Sequence, residues 1–146
     1  LLQILPLAIV ILAPRCDALN VLAIDGPDWM RYAGLAMYVS GMSLMHWAEA
    51  ALGKQFSVEV VIQDSHRLVT DGPFRYIRHP RYLGIIVFTA GVSLVFRSWA
   101  GLSLAGALAA VLEMRIRDEE DVLGREFGGE WDAYHERTWR LVPFVY

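Results

Sequence analysis

Residues 83–96, LGIIVFTAGVSLVF, and residues 99–114, WAGLSLAGALAAVLEM, are two apolar runs parted only by Arg97-Ser98. As helices rising 1.5 Å per residue they would be roughly 21 and 24 Å long. Two such runs joined so tightly predict a helical hairpin turning at Arg97-Ser98, each arm slightly short of a bilayer core of about 30 Å. Within the second arm Gly101, Ala105 and Ala109 recur every fourth residue, a small-residue stripe that lets another helix approach closely. Two more apolar blocks lie upstream, residues 1–14 and 32–52, and only the latter reaches the ~20 residues needed to span a bilayer. The fold class that follows is all-α: a polytopic transmembrane protein of about four membrane helices.

The whole composition agrees. The chain of 146 residues is 55% hydrophobic with a mean hydropathy of +0.37, and its apolar residues come in blocks separated by charged stretches. Its length suits one domain, taken as residues 1–146. A net charge of −3 gives no general basic footprint, so no nucleic-acid partner is expected. Cys16, the single cysteine, can form no internal disulfide and has no neighbouring His or Cys, so no metal is expected. The chain opens on Leu1 rather than Met, which reads as a trimmed or fragmentary N-terminus. No basic stretch precedes its first block, against a signal peptide.

Charge asymmetry sets an orientation. If all four blocks cross, Lys54, Arg67, Arg75, Arg78, Arg81, Arg115, Arg117, Arg125, Arg137 and Arg140 share one side, and only Arg15, Arg31 and Arg97 face the other. The positive-inside rule makes the former side cytoplasmic. The loop after the second block and the C-terminal tail are thereby brought together.

Three constellations lie on that side. Residues 68–84, LVTDGPFRYIRHPRYLG, hold a turn signal at Asp71-Gly72-Pro73 and a proline, Pro80, suited to the first turn of a helix. A helix start there offers unpaired N–H groups to an anionic ligand. Arg67, Arg75, Arg78 and Arg81 with Tyr76 and Tyr82 exceed what capping needs; they suit a binding site and equally a basic, aromatic interface belt. Residues 115–120, RIRDEE, follow the fourth block. Arg115 and Glu119 are spaced i,i+4 and can pair, while Glu120 lies about 100° further round, open to a ligand or to solvent at a charged helix end. Residues 127–137, FGGEWDAYHER, place Trp131 and Tyr134 at i,i+3 on a short C-terminal interfacial helix, a lid or a simple anchor. His46 and Glu49 are also at i,i+3, and snorkelling accounts for both. There is no GxGxxG, P-loop, HExxH or paired-cysteine motif.

The ordered set of His66 with Leu68-Val69, Gly72 with Phe74, Arg78-His79-Pro80 with Tyr82 and Gly84, Arg115 with Glu119-Glu120, Phe127-Gly128, Tyr134, Arg137 and Pro143-Phe144 resembles the isoprenylcysteine carboxyl methyltransferase family. The resemblance spans residues 56–144. It implies a multi-pass helical membrane enzyme that binds S-adenosylmethionine at the cytoplasmic face, in a pocket closed by the C-terminal segment. Carried over position by position, the cofactor contacts are His66, Arg67, Leu68, Val69, Phe74, His79, Pro80, Arg81, Tyr82 and Glu120. Arg115 would hold the substrate carboxylate, with Arg78 beside it among the catalytic residues. The expected reaction is carboxyl O-methylation of a lipophilic, prenylated substrate. Phe74 stands where the eukaryotic enzymes usually carry tyrosine, and the N-terminal half is much shorter. The C-terminal pattern is also similar to NADPH-dependent sterol reductases and to membrane phospholipid N- and thiol S-methyltransferases, which keeps reduction and other acceptors open as alternatives.

Overall fold

The computed structural model describes residues 2–53 and 68–146, and among them the chain is helical with no strand. Its helices are α1 (Ile4–Leu19), α2 (Trp29–Leu52), α3 (Pro80–Val95), α4 (Trp99–Phe127) and α5 (Gly129–Arg137), with a short 3-10 turn at Gly72–Arg75. The α3–α4 hairpin turns where the sequence predicts. Arg97 takes a left-handed φ of 42°, and the buried Ser98 caps α4 by accepting a hydrogen bond from the Gly101 amide at 3.1 Å.

Helix α4 does not end where its apolar run ends. It continues for 29 residues to Phe127, and its inward face, Gly101, Ala105, Leu108, Leu112, Ile116 and Glu120, keeps the three-to-four spacing across the change from apolar to charged composition. The fourth block is therefore not short: α4 is the one described helix long and apolar enough to cross a membrane. The second block, expected to be the only one of spanning length, forms the 24-residue α2, whose polar residues dilute its hydropathy. The core is built by Ile9 and Ala13 of α1, Tyr82 and Val92 of α3, and Ala105, Leu108, Leu112 and Ile116 of α4. Large apolar side chains such as Leu7, Leu35, Val39 and Met114 point outward, the pattern of a protein solvated by lipid.

Helices α2 and α3 run antiparallel and almost touch along their backbones. A Cβ added to Gly41 would lie 2.5 Å from the Phe88 amide nitrogen, and one on Gly91 would lie 2.5 Å from that of Tyr38. Gly34 faces Gly91 and Gly41 faces Gly84 in the same way, so two glycine pairs seven residues apart set the spacing. The small-residue stripe on α4 serves a similar contact at Gly101, which abuts Ser93 and Ala13.

Packing puts the helix ends into two groups. At one end the Ile24 amide donates to the Arg97 carbonyl at 2.6 Å and Trp99 to Leu22 at 2.9 Å, while Arg31 pairs with Asp17 at 2.9 Å. At the other end lie the close of α2, the 3-10 turn, the start of α3, the charged half of α4, and α5.

Candidate active site

The site begins at a turn. Gly72, with φ of 59°, sits against Ala51 and Trp47 of α2 and starts the 3-10 turn, in which Pro73 and Phe74 are buried. The chain then leads into α3, with Pro80 at the first helical position. The two amides just before that helix are engaged within the protein. Arg78 N–H donates to the Trp139 carbonyl at 2.7 Å and His79 N–H to that of Arg140 at 3.1 Å, because residues 139–140 lie alongside residues 77–79 as a short parallel ladder.

Two clusters follow. In the first, Glu120 is only 8% exposed and both of its oxygens are engaged. Arg78 Nε donates to Oε1 at 2.8 Å, His79 Nε2 lies 3.2 Å from the same atom, and Arg140 donates to Oε2 from Nε at 3.0 Å and Nη2 at 2.6 Å. Burial alone would raise the Glu120 carboxyl, but the hydrogen bonds from His79, Arg140 and Arg78 outweigh it and hold the group well below the usual carboxylate range. Arg78 also donates from Nη1 to the carbonyls of Thr138 at 2.5 Å and His135 at 3.1 Å, so one buried guanidinium ties the loop, α4 and the C-terminal segment together. The solvated helix end is thus replaced by a buried ionic hub.

In the second cluster, Tyr82 donates its hydroxyl to Glu119 Oε2 at 2.7 Å and accepts from Arg115 Nε at 2.9 Å. The expected link between Arg115 and Glu119 thus runs through a tyrosine from α3. The two clusters meet where the His79 and Tyr82 rings stack, 5.6 Å apart and 12° from parallel.

Arg81 donates to Glu49 of α2 at 3.3 Å, which gives Glu49 a partner beyond snorkelling. Leu68 and Val69 are half-buried ahead of the turn, and His66 and Arg67 lie outside the described residues. Trp131 and Tyr134 are 6% and 3% exposed and face the protein rather than a lipid surface. Tyr134 donates to the Phe74 carbonyl at 2.8 Å; burial raises its pKa to about 12, so it is a neutral donor at physiological pH. Thr70, Asp71, Arg75, Tyr134 and Arg137 line an open polar cleft of about 500 Å³ beside this contact.

Sequence reasoning missed Arg140 as a partner of Glu120, and with it Tyr146, whose hydroxyl accepts from Arg140 and donates to Glu113 at 2.7 Å. No local spacing signals a pair twenty residues apart. The heptad spacing of Gly34 and Gly41, and of Gly84 and Gly91, was a readable signal of close helix contact.

Residues 34–125 match the model of the isoprenylcysteine carboxyl methyltransferase (ICMT) family. Over 120 residues the chain is 27% identical to a probable protein-S-isoprenylcysteine O-methyltransferase of Oryza sativa subsp. indica, covering 80% of this chain and 63% of that protein. It is 31% identical to protein-S-isoprenylcysteine O-methyltransferase of Homo sapiens, covering 80% of this chain and 42% of the human one. The solved structure of the eukaryotic intramembrane Ras methyltransferase ICMT without a monobody matches with a TM-score of 0.72 at 26% identity, over 80% of this chain and 43% of that one. The chain thus spans less than two thirds of the length of each of these relatives. With the helical arrangement and the matched sequence agreeing, this chain belongs to the isoprenylcysteine carboxyl methyltransferase family.

Proposed function

We propose that residues 1–146 form one integral membrane unit that transfers a methyl group from S-adenosylmethionine to the carboxylate of a lipophilic, isoprenylcysteine-like substrate. In this reading α1 to α4 cross the membrane and the two ionic clusters lie at its cytoplasmic face. The observation that carries it is the meeting of Arg115, Tyr82 and Glu119 with Arg78, His79 and Glu120 at one end of the bundle, in a chain of this family.

The donor set suits the cofactor. Asp71 offers a carboxylate to ribose hydroxyls or a cationic centre, Arg75 and Arg137 offer cations to a carboxylate, and the polar cleft falls within the range of small-molecule sites, while Glu120, held by Arg78, His79 and Arg140, belongs to the same proposed set through the hub it anchors. Leu68, Val69, Phe74, His79, Pro80, Arg81 and Tyr82, with His66 and Arg67, belong to the same proposed set. When bound, S-adenosylmethionine supplies a methyl carbon made electrophilic by its sulfonium. A substrate carboxylate is ionised at neutral pH, so the chain need provide no general base. Arg115 would hold that carboxylate by a two-pronged, charge-assisted contact and so orient it for transfer. The bound donor would supply its methyl group to that carboxylate and leave as the neutral thioether, a transfer that requires no proton from the chain. Arg78, buried in the hub, fixes the segment that carries His79 and Tyr82.

The test is titration of the detergent-purified protein with S-adenosylhomocysteine and NADPH, followed by methyl transfer to a prenylcysteine, an aminophospholipid and a thiol. Binding of the adenosyl ligand and esterification of the prenylcysteine are expected. Binding of NADPH alone, or transfer only to the amine or thiol, overturns the proposal.

A further inference from the structure

We infer that Tyr82 is a positioning residue for Arg115, setting the plane of the guanidinium that receives the substrate carboxylate, rather than a contact of the cofactor. This rests on the carboxylate-methylation reading above and assigns one of its residues a different task.

Tyr82 is the third residue of α3, and Arg115 and Glu119 lie one turn apart on α4. The hairpin brings the start of α3 beside the middle of α4, so the Tyr82 hydroxyl enters the gap between the two α4 side chains. Its ring is held in place: it is 9% exposed and stacked on His79, which is itself fixed against Glu120. The hydroxyl therefore has one position, and Glu119 also gives it one direction. Because the hydroxyl hydrogen is donated to Glu119, an oxygen lone pair is turned toward Arg115 Nε.

A bond at Nε restrains the guanidinium plane from its stem. Two-pronged recognition of a carboxylate is sensitive to that plane in a way that a point charge is not. Supporting hydrogen bonds that fix a functional side chain commonly matter far more than their own bond energy, because a small misplacement of the reacting group is magnified in the rate. A cofactor contact through the hydroxyl would compete with two bonds already made.

The experiment is a double-mutant cycle on the purified full chain, with S-adenosylhomocysteine affinity measured on every variant. Tyr82→Phe keeps the ring and its stack and removes only the hydroxyl. It should lower kcat/KM toward a prenylcysteine carboxylate by about 10- to 100-fold while adenosyl affinity stays within about 2-fold. In an Arg115→Ala background the same change should cost less than about 2-fold, since a residue acting through another loses its effect when that residue is gone. Glu119 supplies an independent handle away from the ring. Glu119→Gln keeps an acceptor for the hydroxyl and should retain most activity, whereas Glu119→Ala should lose part of it without loss of adenosyl affinity. Adenosyl affinity falling in step with activity in Tyr82→Phe, or losses that multiply in the double mutant, would overturn the inference. Failure of the underlying reading looks different: wild-type protein that esterifies no carboxylate.

Discussion

Glu120 is the residue on which most of the site converges, and its position could be half read from the sequence. The offset of about 100° from Glu119 separates the two carboxylates, and the structure sends them to different clusters. Its partners could not be read, because Arg78 and Arg140 lie 42 and 20 residues away and meet it only after the C-terminal segment pairs with the pre-helical loop. A carboxylate held between buried cations is costly to remove singly, since the guanidinium groups are left uncompensated. Glu120→Gln should therefore destabilise the protein by about 3–5 kcal/mol at neutral pH, whatever its effect on ligand binding. The pH dependence has a definite sign. The folded-state pKa of Glu120 lies below its unfolded value, so its contribution is complete above the unfolded carboxylate range and is lost as the pH falls below about 4. Thermal melts of wild type and Glu120→Gln should differ at pH 7 and converge in acid. Equal melting temperatures at pH 7 would return Glu120 to a solvated helix end.

At the scale of elements, the hairpin of α3 and α4 was legible because two apolar runs flank a two-residue break, and the turn falls on Arg97-Ser98 as read. The end of α4 was not, because composition marks where a helix leaves lipid and not where its hydrogen bonding stops. Ile116 and Glu120 continue the inward stripe set by Leu108 and Leu112, and the helix persists with it. The close contact of α2 with α3 depends on register, which a glycine's presence does not reveal without its partner helix. That contact makes a sharp prediction. Gly41→Ala puts a methyl against the Phe88 backbone and should cost about 1–3 kcal/mol as overpacking between rigid helices. Gly106→Ala in α4 meets nothing within 4 Å and should be neutral or gain up to about 1 kcal/mol from helix propensity. Unfolding of both variants in the same detergent decides it; a neutral Gly41→Ala would mean the two backbones are not in register.

For the whole molecule, the sequence divided its arginines between two ends, and the described ones fall there. Arg31 and Arg97 sit at the end where α1 meets α2 and α3 meets α4, Arg31 bonded to Asp17 and the Val95 carbonyl and Arg97 to the Gly26 carbonyl. Arg78, Arg81, Arg115, Arg117 and Arg140 gather at the other. Lys54 and Arg67 lie outside the described residues. A bundle with its cations so divided should insert with the richer end in the cytoplasm, because translocating few positive charges is favoured over translocating many. Cys16 is the single cysteine, so a Cys16→Ser background allows one reporter at a time. Glu136→Cys, exposed on α5, should react with a membrane-impermeant maleimide in inverted vesicles and not in intact cells. Asp25→Cys, exposed in the loop between α1 and α2, should show the reverse. Labelling of both from one side would mean that an odd number of the helices between them fails to cross. Exchange of the two patterns would put the ionic clusters outside the cell, away from any cytoplasmic supply of methyl donor, and the proposed reaction would lose its setting even with its geometry intact.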